Sequence, residues 1–158
     1  MQDIIIGSDH RGFALKQQIK EYLKANKYFV VDVGCSDNKN KYDSPPIAKE
    51  VVDCVKDAKH FCGILVCGSG YAMAIAANRN KGIRAVHCLT PEMAKRARQH
   101  NDANVLCLAG EGDDLSGDGV SGDSVADFGN IKKIITAFLN TKPLPDERYK
   151  RRIEMLDK

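Results

Sequence analysis

Cys67, Gly68, Ser69 and Gly70 follow the apolar run Ile64-Leu65-Val66 and precede a helical pattern that begins near Met73. A thiol and a hydroxyl are thereby set at a turn whose glycines permit close backbone approach and leave amide N–H groups free to meet an anion. The run is short and β-branched, which marks a strand rather than a buried helix. A thiol beside such donors is a candidate general base or nucleophile. A helix N-terminus and nearby cations lower a thiol pKa from its ordinary value of about 8.5, and on that ground Cys67 is expected to be substantially ionised near neutrality.

Three further clusters carry groups of this kind. Asp9 and His10 follow an apolar run and precede a helical pattern, where the carboxylate serves equally as a helix cap or in catalysis. His100, within Arg98-Gln99-His100-Asn101-Asp102, ends a helical pattern, where a dipole partner is the plain reading and an acid or base the sharper one. Arg148 and Arg152 share a helical face; like charges so placed repel unless an anion lies between them, and paired guanidinium forks suit phosphate. Two familiar alternatives fail on spacing. The segment Gly68-Ser69-Gly70-Tyr71-Ala72-Met73 lacks the third glycine of a dinucleotide fingerprint and follows a late strand, and a phosphatase-type thiol loop would place an arginine where this chain has Met73.

Strand patterns at residues 4–7, 29–33, 63–67, 83–88 and 104–108 alternate with helical ones, which predicts a parallel sheet. Leu15, Ile19, Tyr22 and Leu23 share one helical face, with Lys16, Lys20, Glu21 and Lys24 mostly opposite. Ile47, Val51, Cys54, Val55 and Ala58 repeat the period behind Pro45 and Pro46, and Ile131, Ile134, Ile135, Phe138 and Leu139 form the clearest stripe. The expected fold is α/β: a Rossmann-like, doubly wound, five-stranded parallel sheet with helices on both faces, and a basic C-terminal helix at 144–157. Ligands of such sheets bind beyond the carboxyl ends of the strands, where residues 9–12, 67–70 and 87–91 all fall. The spacing does not define strand order. Residues 111–127, with six acidic side chains and no Lys or Arg, read as an exposed loop insertion.

The 158 residues are 43% hydrophobic along their whole length, enough for a single domain, 1–158, with one full core. No apolar run approaches the roughly 18 residues of a membrane span, and strand sequence begins too early for a signal peptide, so a cytoplasmic protein without a membrane partner is expected. Six scattered cysteines read as reduced thiols; without a CxxC pair or metal-ligand spacing among the four histidines, no metal is expected. A net charge of +3 is too small to indicate nucleic acid and suits a small anionic substrate.

Taken together, Gly7-Ser8-Asp9-His10-Arg11-Gly12-Phe13, Cys67-Gly68-Ser69-Gly70, Ile75-Ala76-Ala77-Asn78-Arg79, Gly82-Ile83-Arg84-Ala85 and Arg98-Gln99-His100-Asn101-Asp102 closely resemble the type B ribose-5-phosphate isomerases. That family also includes galactose and allose 6-phosphate isomerases, and the resemblance spans most of the chain. It implies interconversion of D-ribose 5-phosphate and D-ribulose 5-phosphate through a cis-enediolate, a step of the pentose phosphate pathway, without metal or organic cofactor. It also implies homodimers, or tetramers, whose active sites draw on both subunits. By this resemblance Cys67 is the base and Ser69 moves a proton between the sugar oxygens. Backbone N–H groups of Gly68, Ser69, Gly70, Tyr71, Ala72 and Met73 hold the enediolate. Asp9 and His100 open the furanose ring, His10, Arg148 and Arg152 bind phosphate, and Asn101 reaches the substrate across the dimer.

The chain departs from the family pattern at three places. Ala109-Gly110-Glu111-Gly112 stands where a further phosphate arginine is usual, which makes Arg11, beside His10, the expected substitute. Ser44 stands where tyrosine is frequent. Ala72 stands where glycine is common, and alanine there is strained if the backbone needs positive φ. The competing readings are a six-carbon aldose 6-phosphate isomerase and a non-catalytic sugar-phosphate-binding protein. A thiol redox sensor built on Cys67 would use neither His100 nor the arginines.

Overall fold

The computed structural model describes residues 3–57, 61–110 and 127–157. Ala58 and all of the expected acidic loop except Asp127 lie outside them. The apolar runs form β1 (Asp3–Ser8), β2 (Val30–Gly34), β3 (Phe61–Cys67), β4 (Ala85–His87) and β5 (Val105–Ala109). They are all parallel and ordered β2-β1-β3-β5-β4. The amphipathic stretches form α1 (Phe13–Ala25), α2 (Ser44–Asp57), α3 (Tyr71–Asn78), α4 (Pro91–Asn101), α5 (Phe128–Asn140) and α6 (Glu147–Leu156).

Successive strand residues point to opposite faces, so the sheet carries two apolar layers. Ile4, Ile6, Ile64, Val66, Leu106 and Leu108 pack against α1, α4 and α5, whereas Ile5, Leu65, Cys67, Val105 and Cys107 pack against α2 and α3. Right-handed crossovers explain the division. The connections from β2 to β3 and from β3 to β4 run one way along the sheet and carry α2 and α3 on one face. The connection from β4 back to β5 reverses and puts α4 on the other. The first reversal falls between β1 and β3, the switch point where a doubly wound sheet opens a crevice at its carboxyl edge.

Two details differ from the sequence reading. The fourth strand is only three residues long, shorter than the pattern at 83–88. Before it, Gly82 turns the chain at φ +83° and the Ile83 amide closes onto the Asn80 carbonyl. The Asn78 side chain then accepts from the Ala85 amide and donates to its carbonyl, both at 2.8 Å, taking the hydrogen bonds a neighbouring strand would need. Lys16, placed on the solvent face of its helix, is buried: its Nζ donates to Asp32 at 2.7 Å and to the Cys35 carbonyl at 2.6 Å. A lysine can be buried here because Asp32 within β2 and Cys35 just after it both meet the ammonium, which is paired rather than stripped of contacts. Among the described residues no helix is long and apolar enough to cross a membrane.

Candidate active site

At the carboxyl edge Asp9 leaves β1 and turns the chain into α1. One carboxylate oxygen, Oδ1, accepts from the amides of Arg11 at 3.0 Å and Gly12 at 2.9 Å, and the other accepts from the Ser44 hydroxyl at 2.8 Å. The cap and catalytic readings of this residue therefore do not compete: Oδ1 caps the turn, and Oδ2 is held toward α2. Beneath it the Cys35 thiol donates to the Asp9 carbonyl at 3.0 Å and lies 3.3 Å from the Ser8 hydroxyl, while Lys16 grips the Cys35 carbonyl. His10 sits beside this turn with its Nδ1 accepting the Tyr42 amide at 3.2 Å, which leaves the ring's proton on Nε2 as a donor.

Cys67 ends β3, nearly buried, with its side chain toward α3. Gly70, at φ +79°, is the left-handed residue that reverses the chain, so α3 begins at Tyr71, two residues before the position read from the sequence. The Gly70 amide donates to the thiol at 3.1 Å, and the Met73 and Ser69 amides also face it. Burial nevertheless raises the Cys67 pKa; these amides oppose the rise and the nearby Asp9 charge adds to it. The net shift reverses the expectation of a thiol ionised by the helix N-terminus, because desolvation of the thiolate outweighs the amide dipoles. Ser69, Tyr71 and Ala72 are exposed on the same turn, and Met73 is wholly buried and offers the site only its backbone. Ala72 lies inside α3 and is not a positive-φ residue, so its side chain brings no strain.

The crevice has no slack in its backbone. A Cβ on Gly68 would stand 2.7 Å from the Arg11 guanidinium carbon, so that cation lies directly over the thiol loop. A Cβ on Gly70 would stand 2.5 Å from the His87 ring, which also packs T-shaped on Tyr71 with ring centroids 5.0 Å apart. Gly110, at the end of β5 where the family's extra arginine would follow, abuts the Arg11 carbonyl. Arg11 thus occupies the space between the ends of β3 and β5.

The other expected site residues gather elsewhere. Helix α4 returns antiparallel to the strands, so His100 and Asn101 at its end reach the amino edge of the sheet, where the Asn104 carbonyl accepts from the Gly63 amide at 2.9 Å. Gly63 lies four residues before Cys67, roughly 13 Å along the strand. Here the His100 ring stacks on Tyr149 of α6, with centroids 4.6 Å apart and planes 10° from parallel. Arg148 covers the same ring at 4.7 Å and donates to the Tyr149 hydroxyl at 3.1 Å. The exposed Arg148 and Arg152 share this helix. Each chain therefore carries two half-sites at opposite edges of its sheet: Asp9, His10, Cys67 and Ser69 at one, His100, Asn101, Arg148 and Arg152 at the other. Sequence reasoning gave no role to Tyr149 or Arg84, and it treated Ser44 only as a departure. The sole signal for Tyr149 was its place between the two arginines.

A thiol, a carboxylate and several backbone amides gathered at the switch point define the class: a doubly wound α/β protein with polar, titratable groups at the carboxyl edge of its sheet. The chain belongs to the ribose/galactose isomerase family, whose model matches residues 4–156. It is 36% identical over 156 residues to ribose-5-phosphate isomerase B of Escherichia coli, covering 99% of this chain and 95% of that one. A ribose 5-phosphate isomerase from Thermotoga maritima superposes with a TM-score of 0.83 at 38% identity, covering 99% of this chain and 97% of that one. Ribose-5-phosphate isomerase B from Mycoplasma genitalium, solved with bound ribulose-5-phosphate, superposes with a TM-score of 0.82 at 36% identity, covering 98% and 93%.

Proposed function

We propose that this single-domain chain is a ribose-5-phosphate isomerase, interconverting D-ribose 5-phosphate and D-ribulose 5-phosphate. The observation that carries the reading is Cys67 at the end of β3, faced by the first amides of α3 and close enough to Asp9 for its charge to be felt. Aldose–ketose isomerisation needs an open chain, a base that moves a proton between C2 and C1, and donors for the oxyanion formed between those steps. Asp9 and His100 open the ring, one taking the anomeric hydroxyl proton and the other donating to the ring oxygen. The Cys67 thiolate removes the C2 proton and returns it to C1. Ser69 moves the second proton between the two oxygens while the amides of residues 68–73 hold the enediolate. His10, Arg148 and Arg152 bind the phosphate, with Arg11 adding its charge between the ends of β3 and β5, and Asn101 contacts the sugar.

The two half-sites of one chain lie at opposite edges of its sheet, so this chemistry needs a second copy. In a two-fold dimer each edge meets the complementary edge of its partner, and both sites are completed at once. The reading places the enzyme in the cytoplasm, where its free thiols stay reduced.

Direct turnover of ribose 5-phosphate, ribulose 5-phosphate and allose 6-phosphate tests the substrate; absence of ribose 5-phosphate turnover defeats the proposal, and preference for allose 6-phosphate moves it to the six-carbon branch. Mixing inactive Cys67→Ala and His100→Ala proteins under subunit exchange is expected to restore about a quarter of wild-type activity, because half the dimers are hybrids and each hybrid holds one intact site. No restoration means that the site is not shared. Ser44→Ala removes one of the three donors to Asp9 among the described residues and is expected to lower kcat about tenfold, with Ser44→Thr close to wild type. Equal rates for all three proteins would remove Ser44 from the mechanism.

A further inference from the structure

Helix α6 carries two of the proposed phosphate ligands and yet buries none of its side chains within the chain. With no fully buried apolar anchor, α6 depends on specific contacts to fix its position. Among the described residues two such contacts stand near its opposite ends. Tyr149, in its first turn, stacks on His100. Asp157, which caps its last turn, accepts from Arg84 Nη1 at 2.8 Å.

Arg84 lies just before β4 and also grips the end of α4. Its Nε donates to the Asp102 carbonyl at 3.0 Å and its Nη2 to Asp102 Oδ2 at 3.2 Å. Asp102 Oδ1 accepts from Arg98 at 2.9 Å, and the residue adopts the left-handed conformation, φ 45° and ψ 47°, directly after His100 and Asn101. The Arg84 backbone is itself fixed, its amide donating to Asn104 Oδ1 at 2.8 Å. One guanidinium, only 13% exposed, thus ties the turn that aims His100 and Asn101 to the helix that presents Arg148 and Arg152.

We propose that Arg84 is a positioning residue that holds the phosphate-binding helix in register with the ring-opening end of α4, by bridging Asp102 to Asp157. The proposal rests on the reading of Arg148 and Arg152 as phosphate ligands. In this role Arg84 acts through Asp102 and Asp157 and not on the sugar phosphate itself. Its fixed fork spans two carboxylates on different elements, which a lysine ammonium could not do with the same geometry. The anchor matters because the phosphate arginines act by placement: a helix free to pivot on Tyr149 still carries its charges but does not converge them.

The discriminating variant is Asp157→Asn, which weakens the α6 arm and leaves Arg84 on Asp102. Its KM for ribulose 5-phosphate, and the Ki for inorganic phosphate as a competitive inhibitor, are expected to rise about tenfold while kcat stays within about twofold. In an Arg148→Ala, Arg152→Ala background the same substitution is expected to have no further effect on KM, because the contact works only through those arginines. Loss of folding alone would not produce that dependence. Arg84→Met is expected to raise KM and also lower kcat, since Asp102 then loses a partner behind His100. If Arg148→Ala, Arg152→Ala leaves KM unchanged, the phosphate assignment fails and the proposal with it. If that double variant raises KM but Asp157→Asn leaves KM and Ki at wild-type values, or acts equally in both backgrounds, Arg84 is a structural arginine and the proposal alone is overturned.

Discussion

Cys67→Ala is expected to lower kcat by about 10³-fold, within the 10²- to 10⁴-fold range of a positioned general base, while KM moves by less than about twofold. The thiol is removed but the amides of the α3 first turn, Asp9 and the phosphate ligands stay, so binding survives and proton transfer does not. The wild-type pH profile carries the same information. Burial lifts the Cys67 pKa above the ordinary thiol value, so the thiolate is a small fraction at neutrality and grows as protons are withdrawn. For the free enzyme, kcat/KM is accordingly expected to keep climbing through pH 8 and past 9, and the residual activity of Cys67→Ala to lack that climb. Retention of near wild-type kcat by the alanine variant, or a wild-type profile already flat by about pH 7, would show that another group is the base.

Gly12→Ala is expected to damage both the fold and the site. A Cβ at residue 12 would lie 2.4 Å from the Val66 carbonyl oxygen and 3.0 Å from the Cys67 amide nitrogen, both of them backbone atoms of a central strand. No rotamer change relieves such a clash; α1 must retreat from β3, taking with it the Gly12 amide that holds Asp9. Overpacking of this kind costs about 3 kcal/mol, which for a domain of this length lowers Tm by roughly 10 °C. Activity should fall as well, because Asp9 and Cys67 separate as the helix shifts. A variant that melts with the wild type and keeps its kcat would mean that the two elements are not pressed together at this point.

The larger part of the fold was legible because hydrophobic periodicity is local. The short β-branched run Ile4-Ile5-Ile6 and the helical stripe from Ile131 to Phe138 each name their element without help from the rest of the chain. The chemistry was partly legible for the same reason: a thiol or a carboxylate at the carboxyl end of a strand has a predictable place in a parallel sheet. Where local rules failed, a long-range contact had decided the outcome. Lys16 lies buried because Asp32 and Cys35, 16 and 19 residues further along the chain, meet it.

By itself the sequence determined which residues could do chemistry, the parallel alternation of strands and helices, and the carboxyl edge as the place for Asp9 and Cys67. Only the tertiary structure decided three further matters. It placed His100, Asn101, Arg148 and Arg152 at the opposite edge, because a returning helix ends where its strand began. It turned the Cys67 pKa upward, because burial is a property of packing and not of neighbours in the chain. It joined Ser44 to Asp9 and Arg84 to both Asp102 and Asp157, pairs separated by 35, 18 and 73 residues that no local pattern could have brought together.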